Sequence, residues 1–536
     1  MHNTEITNII NSVQPEKMRA RILELTRDLF SELEMSNAAN QDNVISIYKK
    51  LLKIGKHNQA VDNILKIVSA YLKERNLRID TSTLSEETIT NQTVIKPLPI
   101  SGFPEFTPGM QKALENCKNR LSKVFELHGF VLIDTPIVER LEILASKGED
   151  VDKEIYGLTR LQELDENDQD AKLALRYDLT VPFSRYVAQH FNSLTFPFKR
   201  SHIGSCFRGE RPQEGRYRQF TQADIDVVNI DRLPISFDVD IPLIVSKALL
   251  ELRVDEFTFR ISNRKILTGY LDSLGVINKQ LVTRILDKLD KIGFEQVVER
   301  LVSDAKVSTQ TAHKILEIAE IRGNLQEFQS SISQLKVKES LFNEGVAELT
   351  YVLEQLTYSE NSGSFIADLS ITRGFDYYTG TVYEVQWDKY PELGSIAAGG
   401  RYEDLASKFI KKKLPGVGMS IGISRIFGKQ VLDGVFEPMD SSADVLVVND
   451  GDTSELVLRA FSDELRSKGI RTELFFESAS IKKQINYADK KDIQFLVFPS
   501  INELKNLKTG EQIGYEQSEL SILIDNLKER HKFPIQ

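Results

Sequence analysis

The chain has 536 residues, 41% hydrophobic and 27% charged, with a net charge of −10. That is the composition of a globular protein of about three or four domains, and it excludes a mostly disordered or fibrous chain. No apolar run approaches the roughly 18 residues of a membrane span, and the acidic balance argues against a protein that coats nucleic acid while leaving room for local basic patches.

The first residues, MHNTEITNIINSV, lack the basic and apolar regions of a secretory signal. Arg19, Arg21 and Arg27 alternate with Glu16, Glu24 and Asp28, unlike an organellar transit peptide. Two cysteines, Cys117 and Cys206, exclude a disulfide framework and a cysteine zinc site and fit a reducing, cytoplasmic compartment.

Residues 1–78 predict helices: EKMRARILELTRDLFSELE, DNVISIYKKLLKIG and AVDNILKIVSAYLKERN have apolar positions three and four apart. They carry 12 Lys/Arg against 9 Asp/Glu, a net of +3. DTSTLSEETITNQT holds seven Ser/Thr in fourteen residues, a linker composition. Pro97, Pro99, Gly102, Pro104 and Pro108 then place a domain boundary near 95–105. Strands and helices mix over 110–260, 265–360 is almost wholly helical, and strands return at FIADLSI, TVYEVQW and GSIAAGG. This predicts an α+β domain over 96–438, with a largely antiparallel sheet and a helical insertion at 265–360. From 439 to 536 strand and helix alternate, the pattern of a parallel α/β sheet with crossover helices. Residues 1–95 are left as a helical N-terminal extension plus linker.

Five stretches carry chemistry. FRGERPQEGRYRQFTQADID puts Arg208, Arg211, Arg216 and Arg218 within eleven residues, which suits a strongly anionic ligand. Phe220 can stack on a purine there and Glu210 can meet an exocyclic amine. A solvated basic loop is the bland alternative, and the turn formers Pro212 and Gly215 tilt against it. ITRGFDYYTGTVYE sets an arginine before two tyrosines, as a phosphate cation beside aromatic walls or a strand with a core tyrosine pair. In AAGGRYEDL, Gly399 and Gly400 permit close backbone approach to a ligand, or form a bulge. PGVGMSIGISRIF imitates a dinucleotide fingerprint without its strand-and-acid context, and reads better as a glycine-packed strand–helix junction presenting Arg425. LRYDLT reads as a strand with Asp178 and Thr180 on one face, able to receive an ammonium group, or as a surface strand. No P-loop, nucleophile elbow or metal-ligand histidine spacing occurs, so no resident metal site is expected.

Taken together, these stretches resemble a class II aminoacyl-tRNA synthetase. HGFVLIDTPIVE, FRGERPQEGRYRQF and PGVGMSIGISRIF resemble its three motifs. RGFDYYTGTVYE and AAGGRYEDL resemble the two histidine-specific motifs of the histidyl-tRNA synthetase family. The resemblance covers residues 103–536. It implies an ATP-dependent ligase that joins L-histidine to its tRNA through a histidyl-adenylate, with Mg²⁺ assisting. It also implies a homodimer, no DNA or membrane partner, and an anticodon-binding domain at the C-terminus in which Lys482, Lys483, Lys490 and Lys491 offer a phosphate patch.

By the same resemblance, Asp178, Thr180 and Gln222 hold the α-amino group. Asp226 and Tyr378 read the imidazole, and Tyr377 and Tyr402 share that pocket. Arg208 meets the α-phosphate. Glu210, Arg216 and Phe220 contact ATP, and Arg425 lies near the γ-phosphate. Arg373 sits at the α-phosphate and, with Arg208 and Arg425, supplies catalysis. SHIGSC contains a His-Ile-Gly close to a signature of the other synthetase class, but it lies mid-chain without its partner motif. The competing reading is a non-catalytic paralogue of the family that regulates histidine biosynthesis; the intact motif residues and C-terminal domain argue against it.

Overall fold

The computed structural model describes residues 22–29, 31, 47, 50, 51, 64, 66, 97–145, 153–160, 171–359, 364–372, 378–404, 406–435 and 443–529. The chain divides into two compact units, 1–98 and 99–536. In the first, residues 22–29 are helical, and Ile22, Leu25 and Leu29 are buried at the three- and four-residue spacing expected of an amphipathic helix.

The second unit is built on a nine-stranded sheet. Its strands are β1 (Val131–Leu132), β5 (Phe198–Phe207), β6 (Gln219–Val228), β7 (Phe257–Asn263), β8 (Arg322–Gly323), β9 (Phe365–Asp368), β10 (Thr381–Trp387), β11 (Ser395–Tyr402) and β12 (Gly416–Ile421). They lie in the order β1-β5-β6-β12-β11-β10-β7-β9-β8. The run from β5 through β12, β11 and β10 to β7 is antiparallel, and only β1–β5 and β7–β9 pair in parallel. A parallel pair needs a long crossover, and the helical insertion supplies it between β7 and β9. Its helices run from Arg264–Ser273 to Ser340–Thr357, and Asn263 caps the first by accepting from the Lys265 amide. A small second sheet joins β2 (Val138–Arg140), β3 (Gly157–Leu158) and β4 (Leu173–Leu175) in the order β2-β4-β3.

Helices α1 (Pro108–Leu127) and α3 (Phe237–Glu251) cover one face of the main sheet. Pro108 stands in the first turn of α1, where its missing N–H costs nothing, and Gly129 follows the helix at φ +77°. Leu114, Leu121 and Phe125 pack with Ala223, Ile225 and Val227 of β6 and Met419 of β12 in one core. Each such burial contributes roughly 1.5–3 kcal/mol. The opposite face belongs to helix α2 (Thr180–Gln189) and the cavity described below. Helix α4 (Ile423–Leu432) follows β12, giving the strand–helix junction that PGVGMSIGISRIF predicts.

The C-terminal sheet departs from expectation. Strands Val445–Val447, Thr472–Leu474 and Phe495–Phe498 pair in parallel, with helices Glu455–Ser467 and Ile481–Lys490 as crossovers. Two further strands, Glu503–Asn506 and Gln512–Gly514, add antiparallel, so the sheet is mixed. Asn502 at φ +52° and Gly510 at φ +77° make the reversals, and hairpins follow from such turns.

Candidate active site

Strand alternation sorts the central residues. On β6, Ala223, Ile225 and Val227 enter the core, which leaves Phe220, Gln222, Asp224 and Asp226 on the other face. Directly across on β5 lie Cys206, Gly204, His202 and Arg200 in register with them. From β12 and β11, Gly418 and Gly400 join this row, and Gly416 pairs with Tyr402.

The glycines make room. A Cβ on Gly418 would stand 2.2 Å from Asp226 Oδ1, and one on Gly416 would stand 2.3 Å from the Tyr402 ring. A Cβ on Gly400 would meet the Tyr378 ring at 2.7 Å. Gly399 instead admits the neighbouring strand, with Gly418 O 2.1 Å from its Cβ position. The Gly-Gly pair therefore accommodates Tyr378 and β12, and Gly399 also lines the cavity described below.

Asp226 is buried, and both carboxylate oxygens are engaged. Tyr402 donates its hydroxyl to Oδ1 at 3.0 Å, and Arg200 Nη2 lies 2.6 Å from Oδ2. Burial pushes Asp226 up to about 7 against the lowering pull of Arg200, while Asp224 and Asp178 push it further up. Burial also raises the Tyr378 hydroxyl well above its ordinary range, reinforced by Asp226.

Beside this cluster opens a cavity of about 370 Å³, lined by Arg208, Glu210, Arg216, Phe220, Gln222, Tyr378, Glu384 and Arg425 among others. Arg208 is sandwiched, with its guanidinium 4.3 Å from the Tyr177 ring centre and 4.9 Å from that of Phe220. Glu210 and Arg216 pair at 3.6 Å across the loop joining β5 and β6, which turns at Gly215 with φ +69°. Arg425 reaches that loop from α4, its Nε donating to Gly215 O at 3.3 Å and its Nη1 to Ser395 O.

Of the four arginines expected to converge on an anion, only Arg208 and Arg216 line the cavity. Arg218 is spent on the carbonyls of Glu210 and Ser101, and Arg211 points to solvent. Asp178 and Thr180 are not on a strand. β4 ends at Leu175, and Asp178 caps α2, its Oδ1 accepting from the Val181 amide at 2.9 Å. An aspartate four residues before Pro182 is a helix-start signal, and a strand reading of LRYDLT passes over it. Asp178 still acts electrostatically on Asp226 and Tyr378. The cavity wall includes Gln222 and Tyr378, whereas Asp226 and Tyr402 are buried and not part of that wall. Arg373 and Tyr377 lie outside the described residues.

Sequence reading missed Arg200, Asp224 and Glu384. The same two-residue alternation that couples Gln222 to Asp226 points to Asp224, and pairing β5 with β6 points to Arg200.

A family model described as histidyl-tRNA synthetase matches residues 102–426, and one described as an anticodon binding domain matches 443–529. The chain is 48% identical to a histidine–tRNA ligase of Thermobifida fusca over 79% of this chain and 98% of that one. It is 38% identical to one of Clostridium tetani, over 81% and 99%. The crystal structure of histidyl-tRNA synthetase from Nostoc sp. PCC 7120 superimposes with a TM-score of 0.71 at 34% identity, covering 81% of this chain and all of that one. A Bacillus halodurans structure titled as an ATP phosphoribosyltransferase regulatory subunit/histidyl-tRNA synthetase shares the fold at 19% identity and a TM-score of 0.61. With the sheet, the buried carboxylate and the arginine-lined cavity in place, the sequence and structural likenesses agree: the chain belongs to the histidyl-tRNA synthetase family.

Proposed function

We propose that the chain joins L-histidine to its cognate tRNA with ATP, through a histidyl-adenylate. The observation that carries this reading is the joining of two groups of residues: Tyr378, which feels the charge of the buried Asp226 that Tyr402 bonds, also lines the cavity of Arg208, Arg216 and Arg425. Neutral imidazole has one donor and one acceptor nitrogen. Ionised Asp226 accepts from the first, and a phenol serves the second. An amino acid without these nitrogens leaves buried polar groups unpaired, which is a strong rejection.

In activation, a carboxylate oxygen of histidine attacks the α-phosphorus of ATP. The bond to the β-phosphate oxygen breaks, and pyrophosphate leaves. Arg208, held between two rings, meets the α-phosphate, Arg425 meets the γ-phosphate, and Arg373 bridges attacking carboxylate and α-phosphate. Glu210, Arg216 and Phe220 hold the rest of the nucleotide, while Asp178, Thr180 and Gln222 receive the α-amino group. The nucleophile belongs to the substrate, so orientation and charge stabilisation are the protein's task. A terminal ribose hydroxyl of the tRNA then attacks the acyl carbon, and AMP leaves.

Among the described residues no three histidines, cysteines or carboxylates cluster for a resident metal. Glu210 and Glu384 both stand on the cavity wall, and Mg²⁺ is commonly held by one or two carboxylates plus substrate phosphates. Bound there, the ion would offset phosphate charge.

Three further assignments belong to this reading. Residues 96–438 form the catalytic domain with 265–360 over the acceptor arm, 439–536 read the anticodon, and 1–95 are an added helical module. A homodimer forms through the segment around β1 and the small sheet, where Leu127, Val131, Leu132, Ile137 and Leu173 stand exposed. The chain works in the cytoplasm: both cysteines are free and buried, as in a reducing compartment, and no helix among the described residues is long and apolar enough to cross a membrane.

The test is charging. Incubated with ATP, Mg²⁺, labelled histidine and total tRNA, the chain should esterify only tRNAs with a histidine anticodon. Label on other tRNAs, or none at all, would contradict the proposal, and none at all would favour the regulatory reading.

A further inference from the structure

We propose that Arg200 is a positioning residue that determines histidine selectivity: from beneath the pocket it orients Asp226 and favours its ionised form, which only accepts hydrogen bonds. The inference rests on the reading above, that Asp226 meets the substrate ring.

Arg200 is fully buried, directly across the β5–β6 pair from Asp226. Its Nη2 lies 2.6 Å from Asp226 Oδ2 and 3.6 Å from Asp224 Oδ2. Its guanidinium lies 4.4 Å from the centre of the Phe183 ring, which fixes the plane of the fork. Among the described residues, Nε, Nη1 and Nη2 all have no hydrogen-bond partner, so the 2.6 Å approach of Nη2 to Asp226 Oδ2 is an ion pair.

A buried arginine with idle donors is a poor way to hold a core together, because an apolar side chain of similar volume usually does as well or better. Its arrangement makes sense for Asp226. That carboxylate also faces Asp224 on its own strand, Tyr402 on β11, and the charge of Asp178 ahead of α2. Asp224 and Asp178 both favour its protonated form and Arg200 opposes them, so loss of Arg200 shifts the carboxyl further toward the neutral acid. A neutral acid donates as well as accepts, and no longer demands a ring N–H. His202, next but one on β5, adds no compensating cation: burial pushes it down to about 4, which leaves it neutral. Tyr402 on Oδ1 and the charge of Arg200 beside Oδ2 hold the carboxylate from two sides.

The experiment is a double-mutant cycle on the full chain, read by calorimetric binding of L-histidine and by the KM values for histidine and ATP in pyrophosphate exchange. Arg200→Met should weaken histidine about tenfold or more, with the KM for ATP within about twofold. In an Asp226→Asn background the same change should add almost nothing, because Arg200 acts through Asp226. Equal losses in both backgrounds, or a parallel loss of ATP affinity, would mean a merely structural role and overturn the proposal. If Asp226→Asn alone leaves histidine binding unchanged, the underlying reading of Asp226 fails; if it weakens binding while Arg200→Met does not, only the role of Arg200 fails. Should Arg200→Met not fold, Arg200→Lys decides: loss of the planar fork should weaken histidine about threefold or more, and a change under twofold overturns the proposal.

Discussion

Tyr402 on β11 donates its hydroxyl to Asp226 on β6 across the intervening strand β12, at 3.0 Å. The bond spans a full strand because Gly416 and Gly418 leave that strand without side chains at the crossing. Removing the hydroxyl leaves one carboxylate oxygen short of a donor, a loss of about 0.5–1.5 kcal/mol. Tyr402→Phe should therefore raise the KM for histidine about two- to tenfold with that for ATP unmoved, as steady-state exchange kinetics would read.

Gly418 should tolerate no side chain. A Cβ would stand 2.2 Å from Asp226 Oδ1 and 2.5 Å from the Ile225 carbonyl, which cannot yield. Gly418→Ala is expected to displace Asp226 and weaken histidine more than about tenfold. Calorimetry on the folded variant checks this, and unchanged affinity would remove Asp226 from the pocket.

Histidine uptake should depend on pH through Asp226. Its carboxyl, ordinarily at 3.8, stands at about 7, chiefly through burial. The ionised form is the stronger acceptor of a ring N–H and cannot donate in its place, so the KM for histidine should fall as pH rises through about 7. Asp226→Asn should be weak throughout and lack that step, which separates it from titration of free histidine. The sign for stability is opposite. A carboxyl raised in the fold stabilises below its unfolded value near 3.8, and that contribution is lost as pH climbs to about 7.

Arg425 ties the β5–β6 loop to α4 while facing the cavity. Loss of such a preorganised cation costs about 100- to 1,000-fold in rate. Arg425→Ala should show that loss in single-turnover adenylate formation. Arg425→Lys should recover only part, lacking the planar fork. A silent alanine variant would reduce Arg425 to a loop tether.

These residues show how far the sequence could be read. Gln222 and Asp226 were legible through the resemblance to the family's motifs, and strand alternation agrees by putting positions four apart on one face. The same rule reached Asp224 only once β6 was fixed as a buried strand, and Arg200 only once β5 was paired with it in register. Asp178 was misplaced because a three-residue strand hands over to a helix two residues beyond it, and LRYDLT carries both signals. Of the four arginines, Arg218 proved structural and Arg211 exposed, since composition cannot distinguish a cavity wall from a turn held by its own carbonyls or from a solvated side chain. The C-terminal hairpins escaped because their short strands lack apolar alternation, and only Asn502 and Gly510 mark them.

Residues 1–98 form a unit apart from every matched motif. A chain beginning at Pro99 should retain histidine-dependent exchange within about twofold. A soluble, folded truncation that lost exchange would assign the N-terminal helices to adenylate formation.

The most direct measurement is ATP–pyrophosphate exchange by the full chain with each of the twenty amino acids in turn. The account predicts exchange with L-histidine alone. Exchange driven by another amino acid, or none with histidine in a folded preparation, would contradict it.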